Sequence, residues 1–315
     1  MKSLSKILFP VAAILSLAPF ISSGVSLLMG VLLAVVFGNP YLEQSRKLTQ
    51  KLLPLSVVGL GAGMNLHVIG KVGLQGVGYT IVGISCALLL GTLLGKLFKT
   101  SPDTSLLVTV GTAICGGSAI AAVAPVIRAK SHEVSVSLGV VFLLNSLALF
   151  IFPAVGHYFH LSEVQFGLWS ALAIHDTSSV VGAAMQFGHQ ALEVGTTVKL
   201  ARALWIVPVA FAIGLIYTKK NSAAAATGKA KKPWFILGFL LAATLVTYVP
   251  ELKSTGDIVN TLAKRTLVLT LFLIGTSLTR ETIRNVGAKP FLQGVTLWIL
   301  VASGTLGALL AGWIH

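Results

Sequence analysis

The sequence has few charged residues and very few cysteines for its length. Charged residues make up 10% of the 315 residues, whereas soluble domains usually carry about 25%. The hydrophobic fraction is 55% and the mean hydropathy is +0.90, so the composition excludes a soluble enzyme. The two cysteines, Cys86 and Cys115, lie inside apolar stretches, which leaves neither a disulfide framework nor a paired-cysteine metal site. We therefore expect no metal and no cofactor.

Acidic residues are also scarce. The chain has 9 Asp and Glu against 23 Lys and Arg, which gives a formal net charge of +14. In a soluble protein such an excess can indicate nucleic-acid binding, but in a membrane chain it more often records topology. No Walker-type phosphate loop is present, so the chain has no evident ATP site of its own. We expect no nucleic-acid partner.

The sequence does have apolar runs along its whole length. Because a transmembrane helix needs about 20 mostly apolar residues, these runs predict an all-α polytopic membrane protein, with one integral membrane domain over residues 1–315 and about 11 transmembrane helices. The first span also resembles a cleavable signal peptide, although residues 19–21 make a poor cleavage site. The predicted spans lie near 7–21, 24–38, 52–66, 76–95, 104–127, 134–155, 164–187, 194–218, 234–249, 266–279 and 290–313.

The basic residues predict the orientation of these spans, since the cytoplasmic side carries the excess of Lys and Arg. Fifteen of the 23 fall on the N-terminal side of the predicted topology, five of them in a Lys-rich segment at 219–233 that we predict to be a cytoplasmic loop. We therefore expect a cytoplasmic N-terminus and an external C-terminus. The eight basic residues on the other side are Lys71, Arg128, Lys130, Lys199, Arg202, Lys253, Lys264 and Arg265.

A weak internal repeat relates residues 51–73 to residues 265–287 at an offset of 214. The two segments belong to predicted spans that cross in opposite directions, and inverted repeats of this kind are common in secondary transporters. The alternative is coincidence within apolar sequence. The matching pairs are Gly61 with Gly275, Ile69 with Ile283, Val72 with Val286 and Gly73 with Gly287.

Two predicted spans contain polar, helix-disfavouring clusters near their middles, at 111–122 and 173–184. Unsatisfied backbone in hydrocarbon costs several kcal/mol per group, so these clusters predict two discontinuous helices that face protein or water. The start of a half-helix offers free N–H groups and positive partial charge, which suits a small anion. Close helix packing is the alternative for the glycine-rich cluster. The candidate substrate-binding residues in the clusters are Cys115, Gly116, Gly117, Ser118, Thr177, Ser178 and Ser179.

The two clusters resemble each other at an offset of 60. The predicted topology places one span between them, so both would cross in the same direction, whereas inverted partners should be antiparallel. Either the resemblance is convergent or the span count is wrong locally. The matching pairs are Ala113 with Ala173, Ile114 with Ile174 and Ser118 with Ser178.

Ionisable residues within a membrane span are functional candidates because they are expensive to bury. Asp176 could bind a coupling ion or simply cap a half-helix that begins at Thr177, and His175 could shuttle a proton. Lys199 and Arg202 either line an anion cavity, where Arg offers a planar fork, or sit at the membrane edge and snorkel. Further polar residues expected to bond between helices, and weaker site candidates, are Asn65 and Asn145.

Residues 111–127, 173–184 and 199–208 together resemble the sulfate exporter family, the YeiH-type inner-membrane proteins of bacteria. That family is grouped with sodium-proton antiporters and bile-acid-type sodium symporters. The resemblance implies a bacterial inner-membrane location, inverted repeats, a core domain that moves against a scaffold, and crossing discontinuous helices at the site; the wider superfamily suggests a homodimer. The positions that it implicates are Cys115, Gly116, Gly117, Ser118, His175, Asp176, Thr177, Ser178, Lys199 and Arg202.

The leading functional hypothesis is a secondary active transporter that exports a small inorganic or organic oxyanion, sulfate or a sulfonate, by alternating access with proton or sodium coupling. The first alternative is a sodium-proton type cation antiporter, in which Asp176 and unwound carbonyls hold sodium and the basic residues are peripheral. A membrane enzyme using Cys115, His175 and Asp176 is a third hypothesis, but residues 60 apart in sequence cannot establish the geometry of a triad. We expect no enzymatic activity. A passive channel suits paired broken helices less well.

Overall fold

A computed structural model describes residues 2–220 and 234–314. The predicted Lys-rich loop lies, from residue 221 to residue 233, outside the described residues. Within these ranges the chain forms α-helices and one short 3-10 helix, Pro250–Leu252. The α-helices are α1 (Lys2–Leu15), α2 (Ser23–Phe37), α3 (Leu42–Gly61), α4 (Leu66–Leu97), α5 (Pro102–Ala113), α6 (Gly117–Ile127), α7 (Ser131–Tyr158), α8 (Glu163–Ala173), α9 (Thr177–Phe187), α10 (His189–Ala203), α11 (Ile206–Lys220), α12 (Trp234–Tyr248), α13 (Lys253–Gly275), α14 (Arg280–Asn285) and α15 (Ala288–Leu310).

Local sequence signals set several of these boundaries. The Ser22 hydroxyl accepts from the N–H of Val25 and begins α2, and Asn65 caps α4 in the same way. Ser162 and Gln165 form a capping box at the start of α8, in which each side chain bonds to the other residue's backbone N–H. These side chains satisfy N–H groups that a helix leaves free at its first turn.

Five helical segments in the described ranges are long and apolar enough to cross a membrane. One of them runs through α10 and α11, which are joined by a turn at Leu204 and Trp205. The all-helical membrane class predicted from composition is therefore supported. The five segments are Val77–Leu97, His132–Tyr158, His189–Tyr217, Pro250–Gly275 and Ala288–Leu310.

Helices α5 and α6 form a hairpin. A Cβ placed on Gly111 would lie 3.0 Å from Cδ1 of Ile120, although a continuous helix would separate these residues by about 13 Å along its axis. Near the start of α5, the Ser137 hydroxyl of α7 donates to the Thr104 carbonyl at 3.4 Å. Near its end, Gly111 packs against Val141 of α7. Helices α5 and α7 thus run in the same direction, and α6 returns the chain to the face where α5 begins, hereafter the α5 face.

Helices α8 and α9 form a second hairpin. The Gln190 N–H at the start of α10 donates to the Glu163 carboxylate at the start of α8, at 2.7 Å. Further along both helices, Lys199 of α10 reaches the Ala171 carbonyl of α8. Helices α8 and α10 therefore run in the same direction, and α9 returns the chain to the face where α8 begins, hereafter the α8 face.

The two hairpins enter from opposite faces because α7 lies between them. It has 28 residues, which at 1.5 Å per residue give about 42 Å. At the far end of α10 and α11, the Tyr217 hydroxyl donates to Asp103 of α5 at 3.3 Å, so that segment crosses back to the α5 face. The predicted single crossings at 104–127 and 164–187 are wrong for this reason, and the number of eleven crossings is not confirmed. Hydropathy measures how apolar a segment is and carries no information on where the chain reverses.

This topology also changes the distribution of basic residues. Arg128 and Lys130 follow α6 and lie on the α5 face, not on the opposite side where a single crossing would put them. Lys199 and Arg202 lie deep inside the protein. The hairpins do not test the side predicted for the other four of the eight basic residues, which are Lys71, Lys253, Lys264 and Arg265.

Outside the hairpins, α2, α3, α12 and α13 pack through glycines. A Cβ on Gly30 would overlap the Phe272 carbonyl, and a Cβ on Gly275 would overlap the Leu27 carbonyl. Gly61 of α3 lies in the same way against the Phe239 carbonyl of α12. Small residues let helix backbones approach closely where the surroundings are apolar. Helices α3 and α13 end at Gly61 and Gly275, and the next helices begin at Leu66 and Arg280, which are all offset by 214.

Candidate functional site

The tips of the two hairpins meet inside the protein. The first tip, residues 114–116, joins α5 to α6, and the second, residues 174–176, joins α8 to α9. Both predicted helix breaks lie at these tips. A Cβ on Gly116 would lie 3.2 Å from Cβ of Asp176, so the two breaks are in contact. Gly116 has φ +67° and ψ −127°, a backbone conformation that residues with side chains rarely adopt.

Two buried cations lie at the tips. Lys199 and Arg202 of α10 are 0% exposed. The Lys199 ammonium donates to the carbonyls of Ala171 at 3.3 Å and Ile174 at 2.6 Å. Arg202 donates through Nε to the Ala113 carbonyl at 2.8 Å and through Nη1 to the Leu172 carbonyl at 2.6 Å.

These bonds follow from the charge at helix ends. The accepting carbonyls lie at or just beyond the C-terminal ends of α5 and α8, where the backbone carries negative partial charge and unpaired acceptors. Lys199 and Arg202 satisfy these acceptors inside the protein. Because both side chains are fully buried, neither one snorkels to the protein surface, and a role for them in an anion cavity stays a prediction.

Asp176 caps α9. Its carboxylate Oδ2 accepts from the Ser178 N–H at 3.1 Å, and the Ser178 hydroxyl donates to the same oxygen. The backbone N–H of Asp176 donates to Oδ1 of Asn145 on α7 at 3.3 Å. The capping role expected for Asp176 is therefore observed, and its carboxylate occupies the positive end of α9.

The start of α6 differs from the start of α9. Its N-cap is Gly116, which has no side chain to accept a hydrogen bond. Gly117 is half-buried and Ser118 is exposed, whereas Ser178 is fully buried. The N-terminus of α6 thus has no side-chain hydrogen bond to its N-cap residue and is the more accessible of the two.

Several buried polar atoms around the tips have no hydrogen-bond partner among the described residues. Such atoms are costly unless something binds them. The sequence identifies Asn145 mainly as a residue that bonds between helices, and the structure brings it to the second tip. Its position in an apolar run of α7 is the only signal that the sequence offers. The unpartnered atoms are Nη2 of Arg202, Nδ2 of Asn145, both ring nitrogens of His175 and Oγ1 of Thr112.

The other candidates from the two polar clusters also lie at or beside the tips. Cys115 is buried in the first tip, and Thr177, Ser178 and Ser179 are buried in the first turn of α9. His175 packs edge-on against Trp298 of α15, with ring centroids 6.3 Å apart. Asn65 lies away from the tips, where it caps α4. Among the described residues, no group of three or more His, Cys, Asp or Glu side chains could hold a metal ion.

These features define a class of protein: a helical membrane protein with two opposed hairpins and a site of ionisable residues at their tips. The chain matches the family model described as Conserved hypothetical protein 698 over residues 3–294. UPF0324 membrane protein Bd1437 of Bdellovibrio bacteriovorus is 66% identical over 99% of this chain and 96% of its own. UPF0324 membrane protein GSU2818 of Geobacter sulfurreducens is 47% identical over 97% of this chain and 96% of its own. The chain belongs to the UPF0324 membrane protein family. No solved structure matches it.

Proposed function

We propose that the protein is a secondary active transporter that binds a small oxyanion at the hairpin tips. The observation that carries this proposal is the set of ionisable groups at the tips: two fully buried basic side chains, Lys199 and Arg202, lie beside one buried acidic side chain, Asp176. The unpartnered donors of Arg202 and Asn145 add hydrogen-bonding capacity for an acceptor-rich ligand. An oxyanion such as sulfate or a sulfonate would balance the excess positive charge. The motif resemblance to the sulfate exporter family agrees with this substrate class.

The same geometry disfavours the sodium-proton antiporter alternative. Sodium would need free oxygen ligands, but the buried helix-end carbonyls of Ala113, Leu172 and Ile174 already accept from Arg202 or Lys199. The carboxylate of Asp176 already accepts from Ser178. The antiporter alternative requires the basic residues to be peripheral, but Lys199 and Arg202 lie at the centre of the tips.

The hairpin topology supports alternating access. Helices α5 to α7 and helices α8 to α11 each form a hairpin followed by a crossing segment, and their breaks are related by the offset of 60. Because the two hairpins enter from opposite faces, the offset now relates antiparallel elements, as an inverted repeat requires. Helices α3 and α13 supply the second pair, at the offset of 214. We propose that both are inverted repeats.

We further propose that the α5 face is cytoplasmic in a bacterial inner membrane. Lys2, Lys6, Lys99, Arg128 and Lys130 lie towards that face, and a basic excess marks the cytoplasmic side. The N-terminus would then be inside and the C-terminus outside, with export as the proposed direction. A homodimer remains part of this proposal.

Asp176, with His175, is the proposed binding site for a coupling proton, with sodium as the alternative coupling ion. The proposal includes no resident cofactor and no enzymatic activity. Neither ring nitrogen of His175 has a hydrogen-bond partner, so the Cys115-His175-Asp176 hydrogen bonds that a catalytic triad needs are not formed in this conformation.

Counterflow in proteoliposomes tests the proposed function. Vesicles preloaded with unlabelled sulfate or methanesulfonate should accumulate the labelled anion when they contain the wild-type chain. Arg202→Ala should abolish this uptake, whereas Arg284→Ala, which removes an exposed cation from α14, should retain it. Absence of anion counterflow together with sodium-dependent proton flux in correctly inserted wild type would replace this proposal with the antiporter.

A further inference from the structure

The two hairpins place equivalent residues at their tips but use them differently. Gly116 and Asp176 are both N-cap residues and are 60 positions apart, and Ser118 and Ser178 are related by the same offset. At α9, the cap position supplies a carboxylate that accepts from the N–H and the hydroxyl of Ser178. At α6, the cap position supplies nothing, and the Ser118 hydroxyl has no partner among the described residues.

We infer that the transported oxyanion binds the N-terminus of α6 as the Asp176 carboxylate binds the N-terminus of α9. One oxygen of the anion accepts from the N–H and the hydroxyl of Ser118. The Asp176 carboxylate shows the same arrangement at α9, where one oxygen accepts from the N–H and the hydroxyl of Ser178. This inference rests on the proposed function and specifies the site: α6 binds the anion, while α9 is already neutralised by Asp176.

Asn145 supplies an independent observation that points to a ligand at this place. Its side chain is 3% exposed, and its Nδ2 has no partner. Its Oδ1 is held by the N–H of Asp176, the residue that contacts Gly116. One turn earlier on α7, Val141 packs against Gly116, and Phe142 packs against Gly117. The side-chain amide of Asn145 is thus held beside the start of α6. The Nδ2 of Asn145, which has no partner, is the second donor to the anion.

Arg202 supplies the charge that such a site needs. It is bonded to the Ala113 carbonyl of the first hairpin, and its Nη2 is buried without a partner. The proposed site therefore combines backbone N–H groups at a helix start, one hydroxyl, one amide and one guanidinium. This set selects a ligand with at least one unprotonated terminal oxygen, the feature shared by sulfate, sulfonates and carboxylates.

Binding measurements on the full-length chain test the inference. Sulfate and methanesulfonate affinities are measured by calorimetry in detergent, and counterflow is measured in proteoliposomes. Ser118→Ala should weaken anion binding by about tenfold or more, because a hydrogen bond to a charged group is lost. The loss should exceed that of Ser178→Ala, whose hydroxyl bonds to Asp176. The matched control is Ser303→Ala, which removes an exposed hydroxyl bonded to its own helix on α15.

Asn145→Asp gives the second arm. It keeps an oxygen to accept from the Asp176 N–H but replaces the free donor with an acceptor, so anion binding should be lost. Normal anion binding in both Ser118→Ala and Asn145→Asp, with counterflow intact in the wild type, would overturn the α6 site and leave the proposed transporter standing. Absence of both binding and counterflow in the wild type would overturn the proposed function and the inference together. Because Ser118 is exposed, its variant tests the site even if Asn145→Asp does not fold.

Discussion

The Nε of Arg202 donates to the carbonyl of Ala113 at 2.8 Å, and this bond joins α10 to the end of the first hairpin's incoming helix. Through Nη1 the same guanidinium donates to Leu172 in the second hairpin. One side chain therefore ties together two hairpins that enter from opposite faces. Its planar fork holds two N–H donors in fixed directions towards these two carbonyls, whereas a lysine at this position would offer a single compact ammonium.

Replacement of Arg202 should destabilise the protein as well as impair transport. Arg202→Met leaves the carbonyls of Ala113 and Leu172 buried without donors, at about 1–3 kcal/mol for each. Arg202→Lys should recover part of this loss, because an ammonium can reach one carbonyl. Thermal unfolding in detergent measures the effect, and Arg284→Met is the exposed control. Equal melting temperatures for wild type and Arg202→Met would show that these two bonds contribute nothing.

The glycine contacts between α2 and α13 should tolerate no added methyl group. Gly30→Ala and Gly275→Ala each place a Cβ against a backbone carbonyl of the facing helix, and overpacking of this kind costs about 1–3 kcal/mol. The same substitution at Gly304 in α15 meets no atom within 4 Å and should stabilise the helix by about 0.8–1 kcal/mol. The melting temperature should therefore fall in Gly30→Ala and Gly275→Ala and rise in Gly304→Ala. A similar shift in all three would argue against the close approach of α2 and α13.

The hairpin topology can be tested by cysteine accessibility. In a background with Cys86→Ser and Cys115→Ala, single cysteines are placed at Ser101, Arg128 and His160, which are all exposed. Because α5 and α6 form a hairpin, the cysteines at 101 and 128 should react with a membrane-impermeant maleimide from the same side. The cysteine at 160, beyond α7, should react from the other side. Labelling of the cysteines at 101 and 128 from opposite sides would contradict the hairpin and support a single crossing over residues 104–127.

The sequence predicts where the helices break but not how the chain continues beyond each break. The glycine pair at 116–117 and the polar run at 175–179 locate both breaks, because such residues disfavour an uninterrupted apolar helix. The reversal at each tip depends on tertiary contacts, such as Gly111 with Ile120, that no local pattern contains. The burial of Lys199 and Arg202 could not be predicted from the sequence either. Their partners are backbone carbonyls of other helices, and every residue has a backbone carbonyl, so no residue type indicates them.

The double role of Asp176, as helix cap and as proposed coupling site, predicts that two substitutions will separate structure from coupling. Asp176→Ala removes the cap on the Ser178 N–H and should cost about 0.5–2 kcal/mol of stability, whereas Asp176→Asn keeps an oxygen in that position and should unfold near the wild-type temperature. Neither variant can take up a proton at this carboxylate, so anion counterflow should lose its pH dependence in both. Thermal unfolding and counterflow across a pH series measure the two effects separately. If Asp176→Asn keeps the full pH dependence of transport, the carboxylate caps α9 and the coupling ion binds elsewhere.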